Sequence, residues 1–308
     1  MKRVVLVTGA SGFVGGHAVR HLAAEGWTVR AASRAPAADA GDHRVEAVRL
    51  PDLSRPVDWP ALLDGVSHVV HLAGIAHSTA QIPKERYQAV NGEAVRTLGE
   101  AARDTDVKVV FVSSVRAQVG PVADSVVSET DRPAPIDAYG ASKLLGERGL
   151  AGTGGRWVIL RPVLVYGPGV KGNMAMLARL ARSPVPLPLG GLQARRSLLG
   201  IDNLAGAISF ALEAPAADGG TFLVADDEAP TVAELIANMR QALGRRPRLV
   251  SLPSSLLGAM LGFLGKREAW QRLSGSLVVD NAALKAMGWR PSASLTDGIA
   301  NMTKDMSA

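Results

Sequence analysis

Tyr139 and Lys143 stand four residues apart in Tyr139-Gly140-Ala141-Ser142-Lys143, and on a helix that spacing puts a phenol and an ammonium on one face. The pair suits proton transfer. A free phenol titrates near pH 10 and is a poor base at neutrality, and a neighbouring cation favours its phenolate. Ser114 lies 139 − 114 = 25 residues upstream, next to Ser113 at the end of an apolar run, where its hydroxyl could hold a reacting oxygen for Tyr139. Taken singly, these residues also read as a surface Tyr and Lys on an amphipathic helix and a serine capping a turn.

A second chemical signal opens the chain. In Thr8-Gly9-Ala10-Ser11-Gly12-Phe13-Val14-Gly15, three glycines recur every third residue between an apolar run and a helical pattern. One glycine allows a tight turn, one lets a pyrophosphate approach the backbone, and one lets helix and strand touch. The helix N-terminus then supplies N–H groups and a positive dipole end. The next strand ends in Ser33-Arg34 with no acidic residue to accept from a ribose 2′-hydroxyl, which favours NADP(H) while leaving NAD(H) open. Arg34 could instead be a solvated loop residue stacked on adenine. Asp52 and Leu53, after the third strand, are placed to meet the adenine edge.

The elements that must position these groups alternate. Strands are expected at Val4–Val7, Thr28–Ala32, Val45–Leu50, His68–Leu72, Val107–Ser113 and Trp157–Leu160. Helical patterns fall at Val14–Ala24, Ala61–Leu63, Lys84–Ala102 and Tyr139–Leu150. This order implies an α/β fold with a doubly wound parallel sheet and right-handed crossovers. Past Tyr166 the chain is punctuated by Pro184, Pro186, Pro188, Gly190 and Gly191, then forms helices at Val232–Leu243 and Asn281–Met287. The expected division is residues 1–165 as the cofactor domain, with 198–225 returning to the sheet. Residues 166–197 and 226–308 form a smaller, mostly helical substrate domain.

Bulk properties narrow the partners. Over 308 residues, 47% hydrophobic and 20% charged content describe a globular chain. The net charge of +6 (34 − 28) is spread without a basic stripe, and aromatics are only 4%, so no nucleic-acid partner is expected. The excess suits either a solvated basic surface or a multiply anionic ligand. With no cysteine, disulfides and thiolate metal sites are excluded, and no metal is expected. Lys2 and Arg3 precede too short an apolar stretch for a signal peptide, so a cytoplasmic location is expected. No apolar run reaches 18 residues; Leu249 to Leu264 comes nearest, interrupted at Pro253-Ser254-Ser255, and no membrane partner is expected.

The glycine loop, the Ser113-Ser114 strand end, the Tyr-x-x-x-Lys helix and Arg161-Pro162, in this order, resemble the extended short-chain dehydrogenase/reductases, the NAD-dependent epimerase/dehydratase family. The resemblance spans nearly the whole chain and implies a Rossmann sheet with Ser114, Tyr139 and Lys143 as catalytic residues. It implies that the cofactor meets Gly9, Ser11, Gly12, Phe13, Gly15, Ser33, Arg34, Asp52, Leu53, Leu72, Ala73, Gly74, Tyr139, Lys143, Pro162 and Val165.

The later segments are similar to the nucleotide-sugar branch, and they imply Ser114, Arg116, Asn173, Arg195, Arg196 and Arg272 as substrate-binding residues. Spacing to Asp202 ranks Arg195 ahead of Arg196 as the diphosphate ligand; a solvated arginine pair is the plainer reading. Many hexose epimerases of the family carry asparagine where this chain has Leu164, so their grip on the nucleotide cannot be copied intact, and Asn173 is a replacement. The implied activity is carbon-4 chemistry on a UDP-hexose or UDP-hexosamine, by a 4-epimerase or 4-keto-reductase, in a homodimer. An NADPH-dependent reductase of a non-sugar ketone shares the same core, and would not need Arg195 or Arg196. A non-catalytic dinucleotide sensor could dispense with Tyr139, Lys143 and Ser114, which this chain keeps.

Overall fold

The computed structural model describes residues 3–36, 41–76, 81–263, 265, 270 and 273–305. In chain order the strands are Val4–Thr8 (β1), Thr28–Ser33 (β2), Val45–Arg49 (β3), His68–His71 (β4), Lys108–Val112 (β5), Trp157–Pro162 (β6), Leu164–Tyr166 (β7), Leu198–Gly200 (β8) and Thr221–Val224 (β9). Among the described residues, seven of them form one sheet in the order β3-β2-β1-β4-β5-β6-β9, with each neighbouring pair parallel. The order reverses between β1 and β4. In such sheets the crevice beyond the carboxyl ends at that reversal is where ligands bind.

The continuous apolar strands are explained by cover on both faces. β1 and β5 are buried at every residue. One face packs with Ala18 and Leu22 of Phe13–Ala24 (α1) and with Leu204, Ile208 and Leu212 of Ile201–Glu213 (α7). The other face meets Trp59 and Leu63 of Trp59–Leu63 (α2) and Val95 and Leu98 of Ala94–Asp104 (α4). Each fully buried Val or Leu contributes about 1.5–3 kcal/mol relative to exposure, so these two layers fix the strand register.

Two expectations change. The helix expected over Lys84–Ala102 is Lys84–Tyr87 (α3), a wider π-helical segment at Gln88–Glu93, and then α4. Apolar periodicity reports which face is buried and is blind to this change in the hydrogen-bond ladder. The π segment turns Asn91 inward, where it is almost fully buried. The stretch 198–225 also divides. β8 pairs with β7 in a separate two-stranded ribbon, and β9 alone of that stretch joins the large sheet.

After the ribbon come Gly172–Arg182 (α6), Val232–Ala242 (α8), Ser254–Phe263 (α9), Ala282–Ala286 (α10) and Leu295–Asp305 (α11). Tyr166, Met174, Leu177, Leu187, Leu235, Ile236 and Ile299 gather there in a third apolar core. α9 falls where Pro253 interrupts the apolar run, and the Pro253 carbonyl accepts from the N–H groups of Leu256 and Leu257. Among the described residues no helix is long and apolar enough to cross a membrane.

Candidate active site

The glycine turn is built by close backbone approach. Gly9 sits at φ +74°, and a Cβ there would lie 2.8 Å from the Ala73 nitrogen. A Cβ on Gly15 would lie 2.1 Å from the Gly9 carbonyl oxygen, so only glycine lets α1 start this near β1. The first turn of α1 has no side-chain cap and no acidic residue, which leaves its N–H groups and positive dipole end for an anion. That is the arrangement a dinucleotide pyrophosphate fits.

Thr8 ties the turn to the end of β4. Its hydroxyl accepts from the Leu72 and Ala73 N–H groups at 3.2 Å each, leaving its own proton for His71 Nδ1 at 3.0 Å. His71 is fully buried and burial pushes its pKa down to about 3, so the ring is neutral. Phe13 meets His17 edge to face, and the His17 ring bonds the Pro168 carbonyl at 3.2 Å, bringing the 167–169 segment over the start of α1. Ser33 is buried and Arg34 exposed at the end of β2. The Asp52 carboxylate is taken by Ser54, accepting from its N–H at 3.0 Å and its hydroxyl at 2.9 Å, and Leu53 is buried in core.

Tyr139 opens Ala138–Ala151 (α5), whose N-cap is Asp137, accepting from the Gly140 N–H at 2.7 Å. Asp137 also forms an ion pair with Arg116. Gly140 permits the contact that follows. A Cβ on it would stand 2.1 Å from the Arg116 carbonyl oxygen, so α5 seats directly on the turn after β5. That seating brings Tyr139 to the same cavity wall as Ser114, whose hydroxyl accepts from the Arg116 N–H at 3.2 Å. Burial raises the phenol's pKa above its ordinary value, and the groups acting downward are Ser114 first and then Arg116. Tyr87, at the end of α3, meets the Tyr139 ring edge to face.

Lys143 is buried beneath this surface. Its ammonium donates to the Val112 carbonyl at 3.1 Å and lies over the Phe111 ring. Burial brings its pKa down to about 8, against an upward pull from Glu147. Tyr139 and Lys143 thus share one helix, as their spacing predicts, while Ser114 joins Tyr139 at the cavity wall. Glu147 accepts from Ser113 and is held by Arg161, whose Nε donates at 3.0 Å and whose second nitrogen donates at 2.6 Å. Asn91 binds both backbone groups of Ile75, at 2.8 and 2.9 Å, and donates to Ser142 at 3.1 Å. It thereby joins the π segment, the 74–75 loop and α5. Sequence reading missed Thr8, His71, Asn91, Asp137 and Glu147. Glu147 at four residues past Lys143 was a signal available in the spacing; the others depend on contacts distant in sequence.

In front of Tyr139 and Ser114 is a cavity of about 490 Å³. Arg116, Asn173 and Arg196 line it, as do Leu164 and Val165. Arg195 is not among its lining residues: its guanidinium donates to the Ala229 carbonyl at 3.0 Å on the exposed side. Of the two arginines, it is Arg196 that faces the cavity. Successive residues of an extended segment face opposite ways, and here Arg195 bridges Thr231 while Arg196 bridges Leu277. Arg196 also donates to the Pro121 and Gly275 carbonyls at 3.0 and 2.8 Å. Arg272 lies outside the described residues. Among the described residues no cluster of His, Asp or Glu could hold a metal.

Comparison with known proteins agrees with this fold. The sequence pattern of the NAD dependent epimerase/dehydratase family matches residues 5–225. The chain is 33% identical to a UDP-glucose 4-epimerase of Vibrio cholerae, over 97% of this chain and 94% of that protein. It is 28% identical to a ceramide reductase of Caulobacter vibrioides, over 89% and 80% of the two chains. The structure of MoeE5 in complex with UDP-glucose and NAD superposes with a TM-score of 0.75, at 26% identity and 98% coverage of both chains.

Proposed function

Because the chain belongs to the NAD-dependent epimerase/dehydratase family, and is an oxidoreductase or isomerase of that family, we propose that it acts at carbon 4 of a nucleotide-linked hexose or hexosamine. The carrying observation is that Tyr139 and Ser114 stand together at the wall of the cavity that Arg116, Asn173 and Arg196 line. Similarity to the UDP-glucose 4-epimerase and to the UDP-glucose complex of MoeE5 supports the choice of sugar nucleotide.

The residues divide the work. The turn at Gly9–Gly15 and the start of α1 hold the cofactor's pyrophosphate, and Ser33 and Arg34 meet its adenosine ribose. When bound, the nicotinamide supplies hydride transfer at the carbinol carbon. Ser114 donates to the reacting oxygen and fixes it against Tyr139. Tyr139 takes the hydroxyl proton when the substrate is oxidised and returns it when the ketone is reduced. Lys143 offers a positive charge beneath the site, and its ammonium binds the nicotinamide ribose. Arg196 grips the diphosphate, with Arg116 and Asn173 toward the sugar.

NADP(H) is the preferred cofactor in this reading, since Arg34 can pair with a 2′-phosphate and no carboxylate stands at the end of β2. Arg34→Asp is expected to shift the ratio of NADPH to NADH affinity at least ~10-fold toward NADH, the worth of one charge-assisted pair. Fluorescence titration of both reduced cofactors measures it, and an unchanged ratio would remove the 2′-phosphate argument.

One observation favours a second reading. Leu164, Met174, Met176, Leu177, Leu235 and Leu273 make much of the cavity wall aliphatic. A ketone on a hydrocarbon chain suits that wall, and the similarity to a ceramide reductase points the same way. Two assays separate them. Interconversion of UDP-glucose and UDP-galactose, or of their N-acetylamino forms, without net NADPH consumption supports the epimerase. NADPH oxidation by a long-chain ketone, with the UDP-sugars untouched, supports the second reading and overturns the first.

A further inference from the structure

Away from the cavity, arginines gather at the far ends of two helices whose first turns build it. Asn173 and Met174 of α6 and Val232 of α8 line the cavity. Ser183 and Pro184, just after α6, and Arg240, in the last turn of α8, line a separate hollow of about 290 Å³. Arg245, Arg246 and Arg248, in the segment after α8, complete its lining. Val232 and Arg240 are 240 − 232 = 8 residues apart, so roughly 12 Å of helix separates the hollow from the cavity.

Helix C-termini attract cations, and here one arginine answers that need. Arg240 is 1% exposed, and its two terminal nitrogens donate to the carbonyls of Pro247 (2.6 Å), Arg248 (3.2 Å), Ser183 (3.0 Å) and Val185 (2.8 Å). Among the described residues its buried Nε has no hydrogen-bond partner. Arg245, Arg246 and Arg248 are exposed, and among the described residues none of the three pairs with a carboxylate. Arg248 reaches the Pro184 carbonyl only at 3.4 Å. It adopts φ +43°, a region that side chains other than glycine's rarely enter. Its carbonyl accepts there from Arg240 and from the Leu187 N–H at 3.1 Å, which pins the turn. Burial lowers the pKa of the Arg240 guanidinium, and the charges of Arg245 and Arg248 push it the same way, so like charges meet here without compensation.

The geometry points to a second anion site in this hollow, for a compact polyphosphate: free pyrophosphate or the phosphate tail of a nucleotide. Guanidinium forks bind phosphate oxygens in pairs, and three of them without a carboxylate are matched by a ligand carrying two or more negative charges. The volume lies at the lower edge of ordinary small-molecule sites, which suits the phosphates and leaves a nucleoside outside. Arginines around a hollow differ from the stripe that tracks a nucleic-acid backbone. Arg240 holds the floor through its four carbonyls, while Arg245, Arg246 and Arg248 meet the ligand. The site shares neither Ser114, Tyr139 nor Arg196 with the cavity, so it stands apart from the carbon-4 chemistry proposed above.

The test is calorimetric titration of the full chain with sodium pyrophosphate and with ATP, at constant ionic strength and in excess NADPH so that the Gly9–Gly15 turn is filled. Pyrophosphate is expected to bind the parent. Arg245→Gln with Arg246→Gln should weaken it at least ~10-fold, the worth of one charge-assisted pair, and Arg248→Gln should weaken it in the same direction. Arg196→Gln, which alters the cavity instead, should leave the affinity within about twofold. Without ligand the double variant should melt with the parent, since both side chains are exposed; pyrophosphate should then raise the parent's thermal midpoint and not the variant's. Tighter binding of ATP than of pyrophosphate would identify the nucleotide as the source of the phosphates, and the reverse the free anion. Absence of binding by the parent, or parent-like affinity in the double variant, would overturn the site. So would loss of binding on Arg196→Gln alone, which would assign the anion to the cavity.

Discussion

Replacing Tyr139 with phenylalanine is expected to lower kcat roughly 10²–10⁴-fold, the usual contribution of a positioned acid–base, while cofactor affinity stays within about twofold. The phenol lies with Ser114 at the cavity wall, and the ring it leaves behind still packs on Tyr87, so the substitution removes a proton donor without opening a void. The pH dependence carries a sign. Burial holds the phenol above its ordinary pKa, so the protonated form dominates at neutrality and the reductive direction has its acid ready. The oxidative direction needs phenolate, so its rate should rise with pH until either the phenol or Lys143 titrates. Lys143, brought down to about 8, loses its charge as pH passes that value, which sets the upper side of the profile. Steady-state rates in both directions between pH 6 and 10 check this. Retained turnover in the Phe variant would end the acid–base assignment.

How much of this site was legible in the sequence depended on whether the contacts were local. The glycine turn and the Tyr139-to-Lys143 spacing are local patterns, because strand, turn and helix periods constrain residues a few positions apart. Their placement follows from topology, since both lie at the carboxyl end of a parallel sheet near the β1/β4 reversal. The alternation of Val-rich runs with helical patterns likewise announced the doubly wound sheet. The groups that hold the site were not readable, because each is satisfied across a long sequence distance. Thr8 bonds a histidine 63 residues away, and Asn91 bonds Ser142 across 51. Arg195 and Arg196 show a different limit. One residue of register in an extended segment reverses which guanidinium meets the cavity, and spacing to Asp202 carries no information on that pleat.

Gly140→Ala is expected to lower kcat about 10–100-fold and the thermal midpoint by a few degrees, although alanine is the better helix former. The added methyl would lie 2.1 Å from the Arg116 carbonyl oxygen and 3.1 Å from Pro135 Cβ, so the first turn of α5 must lift from the turn after β5. Overpacking of this kind costs about 1–3 kcal/mol. The larger consequence is geometric. Asp137, Arg116 and Ser114 all sit at this junction, and moving Tyr139 by about 1 Å from its partner is enough to cost ~10²-fold in rate. Gly206 supplies the control. It lies in α7 with nothing within 4 Å of an added Cβ, so Gly206→Ala should stabilise the fold by up to about 1 kcal/mol and leave turnover unchanged. Calorimetry and steady-state kinetics on the two variants distinguish a requirement for glycine at the seat of Tyr139 from a general intolerance of helix substitutions. If Gly140→Ala behaved like Gly206→Ala, the close seating of α5 would not be what positions the phenol.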